Sequence, residues 1–335
     1  MTTKRIIFTA PGVAECVPGT LRDELRPGEV LTGTEFSAVS AGTEYDNLMN
    51  RPNVPQGYPK QLGYSACARV LAAADDVKGY RPGDRVLVYH GTHSANCIVS
   101  VGSDHTMLTP VLEGIDPLDA SFVVIASMGV GGMRKLALEP GESCMIMGLG
   151  LLGIFALQFA RLSGACPLIA ADPKPERREK ALEFGADYAL DPTEPDFAEK
   201  VKSLTGGKGV NGIVEVTGVS AAMHSALDCA ARMGRIALLG CTRESEGSID
   251  YYQQVHRPGV RLIGAHNFIR PKHDSYPQHW THQDDCTAIM RLILGGRMAV
   301  RPIISEVRPP EDAPDVYRRL AERTLPLGVA FDWTK

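Results

Sequence analysis

The sequence predicts an α/β protein of two domains, one β-rich and one built on a doubly wound parallel sheet. Three observations predict it. The first 110 residues break short apolar runs with Gly, Pro and Thr, which is the spacing of an all-β unit. From about Ser143 short apolar runs alternate with helical patterns, as βαβ units require. The 335 residues exceed the usual size of one domain, and 44% are hydrophobic, enough for large cores without disulfide or metal staples.

The early strands are expected around Ile6–Phe8, Glu29–Thr34, Ala68–Ala73, Asp84–Tyr89 and Cys97–Val101. Between Asp119 and Leu136 the pattern turns helical. Cys144–Met147 then reads as a buried strand, Leu151–Ser163 as a helix, Pro167–Ala171 as a strand and Pro175–Phe184 as a charged helix ending at Gly185. Phe197–Leu204 is a helix, Gly212–Thr217 a strand, Ala221–Ala231 a helix and Arg235–Gly240 a strand. In the tail, Cys286–Leu294 is expected as a helix, Ile303–Val307 as a strand and Pro310–Glu322 as a helix.

Composition excludes several classes. The net charge is −4, and the densest basic run, Lys174–Lys180, carries acids within it, so no nucleic-acid footprint is present. No apolar span reaches membrane length, and the N-terminus has no useful signal-peptide core. The eight cysteines form no C-x-x-C pair, which argues for reduced, buried thiols. These features read as a soluble cytoplasmic protein with a small-molecule substrate.

Gly148-Leu149-Gly150-Leu151-Leu152-Gly153 fits G-x-G-x-x-G in the required place, after a strand and opening a helix. Gly148 permits the turn, Gly150 a close approach to pyrophosphate, and Gly153 tight helix–strand packing. The helix N-terminus offers free N–H groups to phosphates. Asp172 ends the next strand, where a carboxylate holds a ribose 2′-hydroxyl and repels a 2′-phosphate, favouring NAD over NADP. Lys174, Arg177 and Arg178 lie just downstream, where they could neutralise a 2′-phosphate; the preferred reading pairs them with Glu176, Glu179 and Glu183 on a solvated helix face.

With these motifs the chain resembles the medium-chain dehydrogenase/reductase superfamily, the zinc-type alcohol dehydrogenases and their zinc-free relatives. The resemblance rests also on Gly83-Asp84-Arg85-Val86, Leu138–Glu142, Glu183-Phe184-Gly185-Ala186-Asp187, Gly212–Gly218 and Gly234-Arg235-Ile236. It implies a GroES-like domain formed by residues 1–123 and 267–335 and an inserted Rossmann domain, 124–266. The candidate cofactor contacts are Gly148, Gly150, Leu151, Leu152, Gly153, Asp172, Thr217 and Gly240. Dimers and tetramers occur in the family, so a homodimer or homotetramer is implied.

The departures from the family pattern point to the chemistry. In the resembling motifs Ala41 stands where zinc-type members place a ligand cysteine, and Tyr64 and Ser65 replace a ligand histidine and its glutamate. The third ligand position falls near Val123, with only Asp119 close by, and the four-cysteine lobe is missing. Alanine and tyrosine cannot build a zinc site, so no zinc is expected. A proton donor and hydrogen-bond donors must then replace the Lewis acid. Tyr64, Thr43 (which resembles the family's proton-relay hydroxyl) and His90 are the catalytic candidates; Glu44 is read as structural. His93, His266 and Asn267 are candidate substrate contacts. The segment His266–Asp285 holds four of the nine histidines; a metal site from His273, His279, His282 and Asp285 matches no standard spacing, and a solvated loop is expected. The leading reading is a zinc-independent NAD-dependent dehydrogenase acting on a secondary alcohol or ketone, polyhydroxylated substrates included. The alternatives are an NAD(P)H-dependent quinone or enoyl reductase and an inactive dinucleotide-binding sensor.

Overall fold

The computed structural model describes residues 1–103, 106–242 and 247–335. It divides into two compact units. Unit 1 comprises Met1–Ile125 and Cys286–Lys335, and unit 2 comprises Ala126–Asp285. Along the chain unit 1 begins with β1 (Thr2–Ala10), β2 (Val13–Thr20), β3 (Glu29–Ala38), α1 (Ala41–Leu48), β4 (Ser65–Ala73), β5 (Arg85–Tyr89), β6 (Asn96–Ser100), β7 (Met107–Pro110) and α2 (Pro117–Ala120). Helix α3 (Val123–Leu136) carries the first boundary. Unit 2 continues with β8 (Cys144–Met147), α4 (Leu151–Leu162), β9 (Leu168–Ala171), α5 (Pro175–Glu183), β10 (Tyr188–Leu190), α6 (Phe197–Leu204), β11 (Val210–Glu215), α7 (Ser220–Cys229), β12 (Ala230–Leu238) and β13 (Arg261–Gly264). Helix α8 (His282–Leu294) carries the second boundary, and β14 (Glu306–Arg308), α9 (Ala313–Ala321) and β15 (Val329–Asp332) complete unit 1. Among the described residues no helix is long and apolar enough to cross a membrane.

In unit 1 the strand order is β14-β15-β3-β4-β5-β7, with β6 also paired to β3, and β1 and β2 form a separate antiparallel pair. The Gly-Asp-Arg-Val turn has a local cause. Gly83 takes φ +96°, Asp84 accepts the Arg81 N–H at 2.7 Å, and Arg85 pairs with Glu35 at 2.6 Å. Two apolar clusters build the interior. One gathers Val30, Ala68, Val86, Val88 and Val99 on the sheet; the other packs Ile6, Phe8, Leu48, Val316, Tyr317 and Phe331.

In unit 2 six parallel strands run in the order β10-β9-β8-β11-β12-β13. Renumbered from β8, that is 3-2-1-4-5-6, the doubly wound dinucleotide-binding order. Strands β8 and β9 are buried throughout, as a sheet covered on both faces demands. The expected strand at Ile303–Val307 is instead a short 3-10 turn, Arg301–Ile303, followed by β14 two residues further on.

The second boundary also differs from expectation. Residues 267–285 stay with unit 2 because of one buried cluster. The Asp285 carboxylate has no exposure; it accepts from Arg134 Nε at 2.6 Å and from Arg270, which also donates to the Ser127 carbonyl. The Arg134 guanidinium lies 3.7 Å over the Trp280 ring, and His282 Nε2 is 2.7 Å from Ser127 Oγ. The segment is therefore anchored at Arg270 and Asp285, with an exposed stretch between them. Removing the carboxylate leaves two guanidinium groups without their acceptor. D285A is expected to lose about 3–5 kcal/mol of stability in urea unfolding of the whole chain.

Candidate functional site

In unit 1 the three residues singled out as catalytic come together. Tyr64 lies in the segment just before β4, Thr43 in the first turn of α1, and His90 at the end of β5. The Tyr64 ring is 5.9 Å from the His90 ring and 6.1 Å from that of Tyr89. His90 is exposed and adopts φ +59°, a left-handed conformation uncommon for a side chain with a Cβ. The Tyr64 hydroxyl lies 2.6 Å from Ser40 Oγ, with the Thr43 hydroxyl close by. Burial pushes the Tyr64 phenol well above its ordinary value. The Ser40 and Thr43 hydroxyls pull it down, and the neighbouring Glu44 charge pushes it up again. Tyr64 therefore holds its proton at neutral pH and is equipped as a donor.

Behind this cluster lies a buried polar network. Glu44 has no exposure; it accepts from Ser40 N at 2.9 Å and from the Tyr317 hydroxyl at 2.6 Å, and lies 3.2 Å from His93 Nε2. His93 Nδ1 is 2.7 Å from Ser37 Oγ, which accepts from Trp333 Nε1 at 2.9 Å. Ser37 Oγ thus bridges Trp333 and His93 Nδ1, and His93 Nε2 faces the Glu44 carboxylate. Gly63 makes room: a Cβ there would strike the His93 backbone nitrogen and ring. His93 is thus an interior residue with both ring nitrogens engaged and 1% exposure, contrary to its reading as a substrate contact. Glu44 is structural, as expected.

The zinc-type pattern fails chemically at each position. Ala41 offers no donor atom, Tyr64 is a hydrogen-bonded neutral phenol, and Val123 is apolar. Asp119 is paired with Arg301 at 2.7 Å. These residues do not fit a zinc ion, which needs thiolate, imidazole or carboxylate ligands in a tetrahedron. Among the described residues no three His, Cys, Asp or Glu side chains converge in a ligand-like group. His282 and Asp285 are engaged with Ser127 and the two arginines, and His279 stacks on Tyr276.

In unit 2 the glycine loop has the form a dinucleotide needs. Gly148 has φ +94°, and a Cβ there would press on Thr217 at 2.8 Å. A Cβ at Gly153 would collide with the Gly148 carbonyl. Gly150 faces open space, caps α4 without a side chain, and leaves the first-turn N–H groups of Leu151, Leu152 and Gly153 turned outward for an anion. Asp172 is nearly buried, accepting from Leu149 N at 2.8 Å and Lys174 N at 2.9 Å. Arg177 pairs with Asp172 at 3.4 Å, and Arg178 with Asp191 at 3.1 Å and with the Asp172 and Pro173 carbonyls. The expected pairing of these arginines with Glu176, Glu179 and Glu183 is therefore corrected: they turn back toward the end of β9, and Glu183 pairs with Lys180. Glu215 accepts from the Thr217 N–H and hydroxyl and from Gly218 N, fixing the turn that carries Thr217; burial raises its carboxyl above the usual range. Gly240 lies where a Cβ would meet the backbone of Val216 and Gly218. His266 is exposed and caps the Asn267–Ile269 turn, accepting from Phe268 N at 3.2 Å.

A parallel sheet of this order with a bare glycine loop at a helix N-terminus defines a dinucleotide-binding domain. The family model described as zinc-binding dehydrogenase matches residues 152–280. D-guloside 3-dehydrogenase of Escherichia coli is 26% identical over 98% of this chain and 100% of its own length. L-threonine 3-dehydrogenase of Pyrococcus furiosus is 26% identical over 83% of this chain and 84% of its own. The fold is also that of galactitol-1-phosphate dehydrogenase from Escherichia coli, with TM-score 0.86, 17% identity and coverage of 98% and 99% of the two chains. Over nearly its whole length the chain is similar to dehydrogenases, and its two units have the GroES-like and Rossmann folds.

Sequence reasoning missed Ser40. Its signal was its place before a helix, which marks a cap rather than a site residue. The Glu44 carboxyl yields a pH prediction. Burial alone would raise it, but His93, the Tyr317 hydroxyl and the Ser40 N–H outweigh burial and hold it below its ordinary 4.5. A group depressed on folding stabilises above its unfolded value, and that stability is lost as pH falls through the folded value. E44Q is expected to be roughly 3–5 kcal/mol less stable than wild type at pH 7. Its stability should also fall less steeply than that of wild type below about pH 4.5, measured by urea unfolding across the acid range.

Proposed function

We propose that the chain is an NAD(H)-dependent oxidoreductase that interconverts a secondary alcohol and a ketone without zinc, its substrates including polyhydroxylated compounds. The observation that carries this reading is the buried Tyr64 hydroxyl, hydrogen-bonded with Ser40 and with Thr43 close by, at a position where the zinc-type pattern has a metal ligand. The full-length similarity to a D-guloside 3-dehydrogenase supports a sugar-like secondary alcohol as substrate. The bound nicotinamide would supply or take the hydride.

The chain's own residues do the rest. The first-turn N–H groups of α4 bind the pyrophosphate, and Asp172 accepts from the adenosine ribose and repels a 2′-phosphate. In the reducing direction Tyr64 donates its proton to the carbonyl oxygen as that oxygen gains negative charge. Thr43 lies beside the same hydroxyl, and exposed His90 sits beside the Tyr64 ring, where it can exchange protons with solvent. Tyr64 and Thr43 thus do what a Lewis acid does elsewhere, stabilising an alkoxide by hydrogen bonding.

Nicotinamide fluorescence titration should give NADH at least about tenfold tighter than NADPH, an electrostatic preference of about 1.4 kcal/mol. A preference for NADPH would overturn the role of Asp172. Ketone reduction should persist after exhaustive chelation, and Y64F should lower kcat about a hundredfold with KM little changed. Activity abolished by chelation and restored by zinc would overturn the zinc-free reading.

A further inference from the structure

Ser40 stands at the N-cap of α1, where a serine hydroxyl ordinarily accepts a backbone N–H from the first turn. It makes no such bond. Its hydroxyl is instead 2.6 Å from the Tyr64 hydroxyl, 24 residues away in sequence. The backbone of Ser40 is held by other means. Its N–H donates to Glu44 Oε1 at 2.9 Å, and its carbonyl accepts from Glu44 N at 2.9 Å. Glu44 is itself clamped by His93 and Tyr317. The helix start therefore forgoes a cap while a buried carboxylate takes over the anchoring. This arrangement leaves the Ser40 hydroxyl dedicated to Tyr64.

We propose that Ser40 is a positioning residue for the reaction: held by Glu44, it donates its O–H to the Tyr64 oxygen, so that the Tyr64 proton points outward to the substrate. The inference rests on the reading of Tyr64 as the proton donor. When a ketone is reduced, the Tyr64 O–H bond breaks and its proton forms the new O–H bond of the product. The electron pair stays on the Tyr64 oxygen. That oxygen is buried and near the Glu44 charge, a poor place for a phenolate without a donor. The Ser40 O–H supplies that donor during the step, and solvent restores the Tyr64 proton afterwards. Ser40 itself neither gains nor loses a proton.

The test uses the full chain with NADH and a panel of hydroxyketones, in wild type, S40A, S40T, Y64F and S40A/Y64F, with melting curves establishing that each is folded. S40A should lower kcat about ten- to a hundredfold, the scale of a misplaced reacting group, with the ketone KM and the NADH Kd within about twofold of wild type. S40T, which keeps the hydroxyl, should recover most of the rate. S40A should cost nothing further in the Y64F background, because its effect passes through Tyr64. With tyrosine labelled at ¹³Cζ, the resonance missing from Y64F should shift in S40A and return toward wild type in S40T. Wild-type kcat in S40A, or a loss of equal size in the Y64F background, overturns the inference and leaves the function standing. A wild type that binds NADH and reduces no ketone, or a Y64F as fast as wild type, overturns the reading of Tyr64 and the inference with it.

Discussion

The GroES-like unit depends on a carboxylate that water does not reach. Glu44 ties together the start of α1 through Ser40, the loop between β5 and β6 through His93, and α9 through Tyr317. These segments come from near the start, the middle and the end of the unit's sequence. A buried charge is costly unless it is fully bonded, and this one takes three donors. The arrangement is therefore intolerant: each donor needs the carboxylate as much as the carboxylate needs the donors. The reward is placement. The turn bearing Ser40 and Thr43 cannot drift while its neighbour is held from three sides, and the proposed proton donor rests on that turn.

The Rossmann unit meets its requirement by omission rather than by bonding. At Gly148 and Gly153 a side chain would strike the protein itself, so those glycines belong to the fold. At Gly150 a side chain would strike nothing. Its bareness has no internal explanation and is best accounted for by something outside the chain that must come close. The two units thus divide the work in kind. One exposes backbone N–H groups, which cannot titrate. The other buries side chains whose protonation is set by their surroundings.

The parallel-sheet unit was legible because its signals are local. Cys144–Met147, Leu168–Ala171 and Phe197–Leu204 declare themselves by apolar runs and helical spacing within a few residues. The short strands Tyr188–Leu190 and Arg261–Gly264 did not, being defined by their neighbours in the sheet rather than by their own pattern. The gathering of Thr43, Tyr64 and His90 was readable from departures in a recognisable pattern. Ser40 was not, because its partner is set by tertiary structure while its local role looks complete. His93 was misplaced for the same reason: nothing in Gly-Thr-His-Ser reveals that Ser37 and Glu44 will enclose its ring. The second domain boundary was hidden in the contacts of Arg270 and Asp285, which lie fifteen residues apart.

Asp172 carries a further consequence. One of its oxygens accepts the Leu149 N–H, inside the glycine loop, and the other accepts the Lys174 N–H at the entrance to α5. The residue that would read the ribose is therefore also a brace for the loop that would hold the phosphates. Recognition and scaffolding share one side chain, so evolution cannot retune the first without disturbing the second. A lineage exchanging one dinucleotide for the other at this position would have to pass through a side chain that keeps an acceptor for Leu149 while shedding charge. Asparagine meets that condition and alanine does not.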